Sequence, residues 1–248
     1  MQKNELLKKT VAELVVERPE RSRIFERFGI DYCCGGKRPL NDACRATGAS
    51  PDAVVDALIE SSQTDQSGIE TDWSTASMGD LIDHIVTKHH AYLRTELPRL
   101  SQMGEKVARV HGERFTWLRE CHRTFEGLRA ELEQHMMKEE RVLFPMIKEL
   151  ENANGEVSLH CGNLNAPISV MEHEHDNAGQ ALSTLRRLTS AFVPPEDACN
   201  TFRAWLHGLA ELESDLHQHI HKENNVLFPR AQALEANPSP ATTSAEPA

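Results

Sequence analysis

HMMKEERVLFPMI (residues 135–147) and HIHKENNVLFPRA (residues 219–231) repeat one pattern, His-x-x-Lys-Glu-x-x-Val-Leu-Phe-Pro. In each copy a histidine stands four residues before a glutamate, and a helix places such a pair on the same face. The apolar residues beside the pair indicate that this face is turned toward a core. A buried imidazole and a buried carboxylate are costly unless something compensates them, and a metal ion does so. The repeat therefore predicts two helices that bring four metal-ligating side chains together: His135, Glu139, His219 and Glu223.

Four long segments show the apolar spacing of amphipathic helices, and almost nothing between them reads as a strand. They cover about residues 78–100, 113–150, 167–191 and 195–233. Four helices joined by connections of modest length predict an up-down-up-down bundle. The second and fourth helices are long for a globular protein, so each is expected to break near its start or to kink at its proline.

A small helical N-terminal domain is expected at residues 1–60, where Thr10 is a candidate N-cap. The polar stretch 61–77 has no periodicity and is interpreted as a linker. Residues 234–248 are rich in Pro, Ala, Ser and Thr and are interpreted as a disordered tail. The predicted fold class is therefore all-α, a small helical head followed by a four-helix bundle at residues 78–233.

Each of the other two bundle helices offers one histidine on its apolar side. His84 lies between Leu81 and Ile85 in the first helix, and His175 lies on the side of Met171 in the third. Four imidazoles and two bridging carboxylates would give each of two metals two nitrogen and two oxygen donors. A bridging oxide or hydroxide would add one more donor. This donor set favours two iron ions over manganese or zinc.

A single His-x-x-x-Glu pair is weak evidence, because most such pairs on helices are surface ion pairs. The second copy and the upstream histidines favour the metal site here, and the other histidines are expected to lie outside it. Those expected at the surface or at the rim of the site are His90, His111, His122 and His207. Those expected to face away from it are His173, His217 and His221. Glu172 and Asp176 flank His175 and are candidates for hydrogen bonds to the ligand imidazoles.

The overall composition is that of an ordinary soluble protein, with 26% charged and 39% apolar residues in a chain of 248. The formal net charge of −11, from 27 basic and 38 acidic residues, argues against nucleic acid or an anionic membrane as a partner. No apolar run is long enough to span a bilayer, and the first twenty residues lack the apolar core of a secretion signal. A cytoplasmic location is therefore expected, and there the six cysteines indicate thiols, metal ligands or redox chemistry rather than a disulfide framework.

Several motifs together resemble the Repair of Iron Centres family, hemerythrin-like di-iron proteins with a small N-terminal cysteine-containing domain. They are DYCCGG (31–36), HMMKEERVLFPMIK (135–148), ISVMEHEHDNAG (168–179) and HIHKENNVLFPRA (219–231). The resemblance covers about residues 10–233 and implies iron ligands at His84, His135, His175 and His219, with bridging carboxylates at Glu139 and Glu223. It also implies the repair of iron–sulfur clusters damaged by nitric oxide or peroxide, with nitric oxide bound at the di-iron centre and iron donated. The Pro/Ala tail and the extra histidines, notably in the loop around His160 and Cys161, depart from the short members of this family.

Cys33 and Cys34 are adjacent thiols in a loop that continues with Gly-Gly. A disulfide between neighbouring cysteines requires a strained small ring and would be easily reduced. Thiol redox chemistry, transient binding of iron or of a cluster, and transfer of nitric oxide are the functional interpretations. The alternative is that two small residues pack in a turn. We expect a function, because two exposed thiols beside Gly-Gly are otherwise a liability.

Two functions remain open at this point. The first is a stress protein that repairs damaged iron–sulfur proteins and binds nitric oxide or another small diatomic. The second is a nitric-oxide- or oxygen-binding sensor or scavenger that lowers free nitric oxide without repair. An oxidase is the weaker idea, because ferritin-type enzymes use carboxylate-rich sites whereas this site is rich in histidine. A head on a linker can dock on its own bundle or on that of a partner subunit, so a homodimer is one of the arrangements considered.

Overall fold

The protein folds into a small helical head and a helical bundle. The computed structural model describes residues 3–64, 71–153 and 163–237. Within these ranges every regular element is a helix, and the one β-bridge joins Thr10 to Pro39. The predicted all-α class is therefore confirmed. No helix in the described ranges is both long enough and apolar enough to cross a membrane. The loop around His160 and Cys161 and most of the predicted tail lie outside the described residues.

The head consists of five α-helices and one short 3-10 helix (Pro19–Arg21) around its own apolar core. The Thr10 hydroxyl accepts a hydrogen bond from the N–H of Glu13, whose carboxylate accepts from the N–H of Thr10, so a capping box begins the second helix. Buried Leu14, Phe25 and Tyr32 are among the side chains at the centre of the head. The five helices are α1 (Lys3–Lys8), α2 (Val11–Glu17), α3 (Ser22–Arg27), α4 (Leu40–Thr47) and α5 (Pro51–Thr64). The last of them continues four residues past the boundary that the sequence predicts at residue 60.

The bundle contains four long helices, three of which are interrupted by a wider π segment. The first runs through α6 (Met78–His84), a π segment (Ile85–His90) and α7 (Ala91–His111), and so ends well past residue 100. The second is α8 (Trp117–Lys138), a π segment (Glu139–Leu143) and α9 (Phe144–Asn152). The third is α10 (Asn165–Leu188). The fourth is α11 (Asn200–Lys222), a π segment (Glu223–Leu227) and α12 (Phe228–Ala236).

The proline of the repeated pattern explains the π segments in the second and fourth bundle helices. Phe144 donates its N–H to the carbonyl of Glu139, and Phe228 donates to that of Glu223, each five residues earlier rather than four. The next residue in each copy is a proline, which has no N–H and whose ring clashes with the carbonyl four residues before it in a continuous α-helix. The wider turn accommodates the proline, so the expected kink takes the form of a π segment. Such segments are frequent at functional sites.

Two apolar clusters fill the bundle, one on either side of the π segments. The larger includes Leu93, Phe125 and Trp205, all less than 1% exposed. The smaller includes Leu81 and Phe144. The polar side chains of the repeated pattern lie between the two clusters, where bulk water has little access.

Candidate metal centre

Six buried side chains from all four bundle helices meet between the two apolar clusters. They form two groups that could each hold a metal ion, and the donor atoms within a group lie within 4.8 Å of one another. One group is His90, Glu139, His219 and Glu223, and the other is His135, Glu139, His175 and Glu223. None of the six side chains is more than 2% exposed. Both carboxylates belong to both groups.

Each carboxylate directs one oxygen into each group. Oε2 of Glu139 lies 3.3 Å from Nε2 of His90, and Oε1 lies 3.3 Å from Nε2 of His135. Oε1 of Glu223 lies 3.0 Å from Nε2 of His219, and Oε2 lies 3.1 Å from Nε2 of His175. The imidazoles are also close, with Nε2 atoms 3.2 Å apart in the first group and 3.0 Å apart in the second. The centre is therefore an array of eight donor atoms from six side chains, four imidazole nitrogens and four carboxylate oxygens, in which both groups share the two carboxylates.

Hydrogen bonds behind three of the imidazoles orient their rings. Each has its Nδ1 within 2.6–2.9 Å of an oxygen that accepts a hydrogen bond. An imidazole that donates from Nδ1 holds an unprotonated lone pair at Nε2, the form that binds metals. The pairs are His90 with Glu140, His135 with Glu174, and His175 with Asn224. The two glutamates are in turn held by Arg94 and Lys138.

The donor set fits a cation on two independent observations. Both oxygens of Glu139 and Oε2 of Glu223 are buried without a hydrogen-bond partner among the described residues. Because His135 and His175 both donate from Nδ1, their Nε2 lone pairs face one another at 3.0 Å and repel unless a positive charge lies between them. A metal ion satisfies both the orphaned oxygens and the facing lone pairs, so the residues present fit the group that the sequence predicts.

The electrostatics of the centre also favour positive charge. Burial opposes ionisation of Glu139 and Glu223, yet the facing histidines hold the pKa of both carboxyls below the ordinary value. Burial alone would lower the pKa of His135, but the charge and hydrogen bond of Glu139, together with the charge of Glu223 and the hydrogen bond of Glu174, outweigh it and raise the pKa to about 9. The two carboxylates therefore draw cations into a space from which the apolar clusters exclude water.

The structure corrects one of the six predicted positions, because His84 belongs to neither group and His90 takes its place. His90 is fully buried, which is also contrary to the expectation that it lies at the surface or rim. The reason is the π segment Ile85–His90, in which Ala91 donates its N–H to Val86, five residues earlier. The extra residue in this turn changes which side chains face the core.

The sequence holds a signal for His90 on its C-terminal side. His90 stands three residues before Leu93 and seven before Leu97, both fully buried, so the periodicity of α7 leads back to it. The spacing from His90 to His135 is also 45 residues, close to the 44 residues from His175 to His219. His84 gives 51 and breaks this symmetry.

His84 instead lies outside the centre, half-buried against Trp73, with ring centroids 4.4 Å apart. Burial, together with the charge of nearby Lys222, lowers the pKa of His84 to about 4. Between His84 and the centre stands His89, which sequence reasoning did not single out. Its ring is parallel to that of His219, with centroids 5.3 Å apart, and its Nδ1 lies 2.9 Å from Oδ1 of Asp215.

The expected hydrogen bonds from the ligand imidazoles to the carboxylates of Glu172 and Asp176 are not found. Glu172 pairs with Lys37 of the head at 3.0 Å, and Asp176 is exposed. Glu174 makes the contact instead, to His135 on the neighbouring helix rather than to the adjacent His175. Glu174 on α10 points toward α8. The sequence pattern of one helix does not show which neighbouring helix a side chain contacts.

The head docks on the bundle of its own chain, and its cysteine loop lies on the helices that carry the candidate ligands. Asn225 donates from Nδ2 to the carbonyls of Tyr32 and Cys33 at 3.3 and 3.2 Å. The Tyr32 ring contacts both His217 and His221, with centroids 5.9 and 5.5 Å away. These two histidines therefore contact the head.

The two adjacent thiols differ in environment. Cys33 is 3% exposed, so the expectation of two exposed thiols is wrong, and Cys34 is half-buried. The Sγ of Cys34 lies 3.5 Å from the backbone oxygen of His175 and 3.7 Å from the Sγ of Cys33, and no disulfide joins them. The hydrogen bond with Cys34 and burial raise the pKa of the Cys33 thiol well above its ordinary value. Both thiols and the Asp31 carboxylate form a third group close enough to hold a metal ion.

Comparisons with known proteins match both parts of the chain. Residues 81–231 match the hemerythrin HHE cation binding domain, and residues 7–62 match a domain of unknown function, DUF542. The iron–sulfur cluster repair protein YtfE of Enterobacter sp. (strain 638) is 42% identical over 91% of this chain and 97% of its own. The proteins of the same name from Pectobacterium carotovorum subsp. carotovorum (strain PC1) and Citrobacter koseri are each 41% identical, over 90% and 91% of this chain and 96% and 97% of their own.

These matches extend over the head, the bundle and both copies of the repeated pattern. The chain therefore belongs to the hemerythrin-domain family of YtfE-type iron–sulfur cluster repair proteins.

Proposed function

We propose that this protein holds two iron ions in its bundle and uses them in the repair of damaged iron–sulfur clusters in the cytoplasm. One iron would be held by His90, His219 and one oxygen from each bridging glutamate. The other would be held by His135, His175 and the remaining carboxylate oxygens. The observation that carries the proposal is that the two oxygens of each glutamate point in different directions. One lies near the histidines of the first group and the other near those of the second.

Binding of nitric oxide or another small diatomic is part of the proposal. Each group offers two nitrogen and two oxygen donors, and iron in histidine–carboxylate sites accepts further ligands beyond four. When bound, reduced iron supplies electron density to such a ligand. The protein's own contribution is a rigid, dry surround: the two apolar clusters exclude water, and Glu140, Glu174 and Asn224 fix the imidazole rings.

As part of the proposal, we assign iron donation and thiol chemistry to the head. The named relatives are repair proteins, and their names support repair as the use of the centre here. The cysteine loop is seated on α10 beside His175, one side chain away from the centre. Asp31, Cys33 and Cys34 form a group able to hold a cation transiently on the way to a damaged cluster. Because Cys33 is buried with a raised pKa, the half-buried Cys34 is the thiol proposed to act first.

The experiment combines ligand binding with repair. Addition of nitric oxide to the reduced, iron-loaded protein without oxygen should change the visible absorption of the iron. The same protein should restore activity to an enzyme whose iron–sulfur cluster has been damaged by nitric oxide. An unchanged spectrum and no restored activity would exclude the proposal.

The alternative is a nitric-oxide- or oxygen-binding sensor or scavenger, and the histidine-rich centre alone would suffice for it. The head discriminates between the two. If repair is the function, Cys33→Ser/Cys34→Ser should bind nitric oxide as wild type does but lose repair activity. The control is Cys199→Ser, which removes an exposed thiol far from the head loop in sequence. Full repair by the double variant would favour the sensor or scavenger.

A further inference from the structure

A large cavity lies between the head and the bundle, outside the metal centre. Its volume is about 930 Å³. One wall comes from α2, α3 and the residues between them, and includes Arg18 and Arg23. The opposite wall comes from the first π segment and the end of α11, and includes Lys88 and Lys222. His84, which the metal centre does not use, lies in this cavity beside Trp73.

The cavity is positively charged although the chain is acidic. Four cationic side chains and one carboxylate, Glu20, line it, whereas the whole chain carries a formal charge of −11. Arg23 and Lys88 are exposed and make no ion pair with any residue in the described ranges. The positive charges of Lys222 and Lys88 act on His84, because they add to the effect of burial in lowering the pKa of its imidazole. Arg23 and Lys88 thus place one unpaired cation on each wall of a concave site, which favours an anionic ligand.

The cations lie on both walls of the cavity. Two arginines stand on the head wall and two lysines on the bundle wall, so a molecule with anionic groups at both ends could pair with cations of both walls. The half-buried ring of Trp73 offers an apolar surface for a carbon skeleton, together with Val16 of α2 and Val226 of the π segment Glu223–Leu227. The volume is of the size that holds a small organic molecule.

We propose that this cavity binds a small organic anion with at least two separated carboxylates. Arg18 and Arg23 pair with one end of it, and Lys88 and Lys222 pair with the other. Its carbon skeleton lies against Trp73. This inference goes beyond the function proposed above, since it does not depend on iron content, on nitric oxide or on the head thiols.

The test uses the iron-loaded full chain and two probes that do not chelate iron strongly. Tricarballylate represents a small polycarboxylic acid, and S-methylglutathione represents a peptide with two carboxylates and a blocked thiol. Binding is measured by isothermal titration calorimetry and by quenching of Trp73 fluorescence, with Trp73→Phe identifying that signal. At least one probe should bind, and which one binds more tightly distinguishes an acid from a peptide as the source.

The decisive variant is Arg23→Ala/Lys88→Ala, which removes one cation from each wall and should weaken binding about tenfold. Lys88→Arg keeps the charge and should keep the affinity. Lys106→Ala is the matched control, since Lys106 is an exposed lysine farther along the same bundle helix and does not line the cavity. All variants should retain wild-type iron content and visible absorption.

Three outcomes would overturn the proposal. They are the absence of binding by both probes at millimolar concentrations, equal affinity in Arg23→Ala/Lys88→Ala and wild type, and equally tight binding of inorganic phosphate. The last would make the cavity a site for any anion. None of them would affect the proposed iron chemistry, which is read from the spectrum and from repair activity.

Discussion

Replacement of His90 tests whether this histidine, rather than the predicted His84, is a metal ligand. Nε2 of His90 lies 3.3 Å from Oε2 of Glu139 and 3.2 Å from Nε2 of His219, inside one of the two groups. His90→Gln removes that donor while keeping a polar side chain of similar length, and leaves the group with three donor residues. His84→Gln is the matched control, because His84 belongs to the same bundle helix and to neither group.

The expected magnitude follows from what direct ligands contribute. Even residues that only orient a ligand change metal affinity by about 10–100-fold, so loss of a ligand should weaken that site by at least about 100-fold, or about 2.8 kcal/mol. The affinity of the second group for iron should change much less, because that group does not include His90. After dialysis against a chelator, His90→Gln should therefore retain about half the iron of wild type, measured by elemental analysis. His84→Gln should retain all of it.

Circular dichroism of both variants would show that the helices are intact. Loss of iron from His84→Gln with full retention by His90→Gln would show that His84, not His90, is the ligand. Such a result would restore the α-helical interpretation of residues 85–90 and would be inconsistent with the π segment there.

Two further predictions concern packing and the support of the imidazoles. Gly208→Ala should lower the free energy of unfolding by about 1–3 kcal/mol, because its Cβ would lie 2.5 Å from Cδ2 of buried Leu100, and this overlap outweighs the better helix propensity of alanine. Gly127→Ala has no atom within 4 Å of its Cβ and should raise that free energy by about 0.5–1 kcal/mol in the same denaturant titration; the opposite order would contradict the packing of the bundle. Asn224→Ala removes the oxygen 2.8 Å from Nδ1 of His175 and should weaken iron binding about 10–100-fold in a chelator competition, with unchanged affinity as the contrary result.

The bundle was predictable from the sequence because its apolar spacing is strong and its repeated pattern is long. His135 and His219 each lie in an uninterrupted α-helix. Each stands four residues before its glutamate, Glu139 or Glu223, so the two members of a pair lie on the same face. Their inward direction could be derived from the apolar residues around them. The same holds for His175, because α10 has no π segment at all.

His90 was not predicted because the rule that places side chains on a helix assumes a constant turn. The α-helical spacing that starts from Leu81 and Ile85 places His84 on the buried face. The same spacing counted backward from Leu93 places His90 there. The two disagree because the π segment between them holds an extra residue. A conflict between the two ends of one helical pattern is therefore a useful signal of such a segment.

The environment of the thiols could not be predicted for a different reason. Whether Cys33 is exposed depends on where the head docks, and that depends on contacts such as those of Asn225 with the carbonyls of Tyr32 and Cys33. Those residues are nearly two hundred positions apart. No local pattern relates them, so the loop looked exposed when only its own sequence was considered.

Mössbauer spectroscopy of protein loaded with iron-57 and kept free of oxygen would show whether Glu139 and Glu223 bridge two metals. We expect about two irons per chain, one for each four-residue group, with the magnetic coupling that bridging carboxylates produce. A single iron per chain, or two irons without coupling, would contradict a bridged pair of metals.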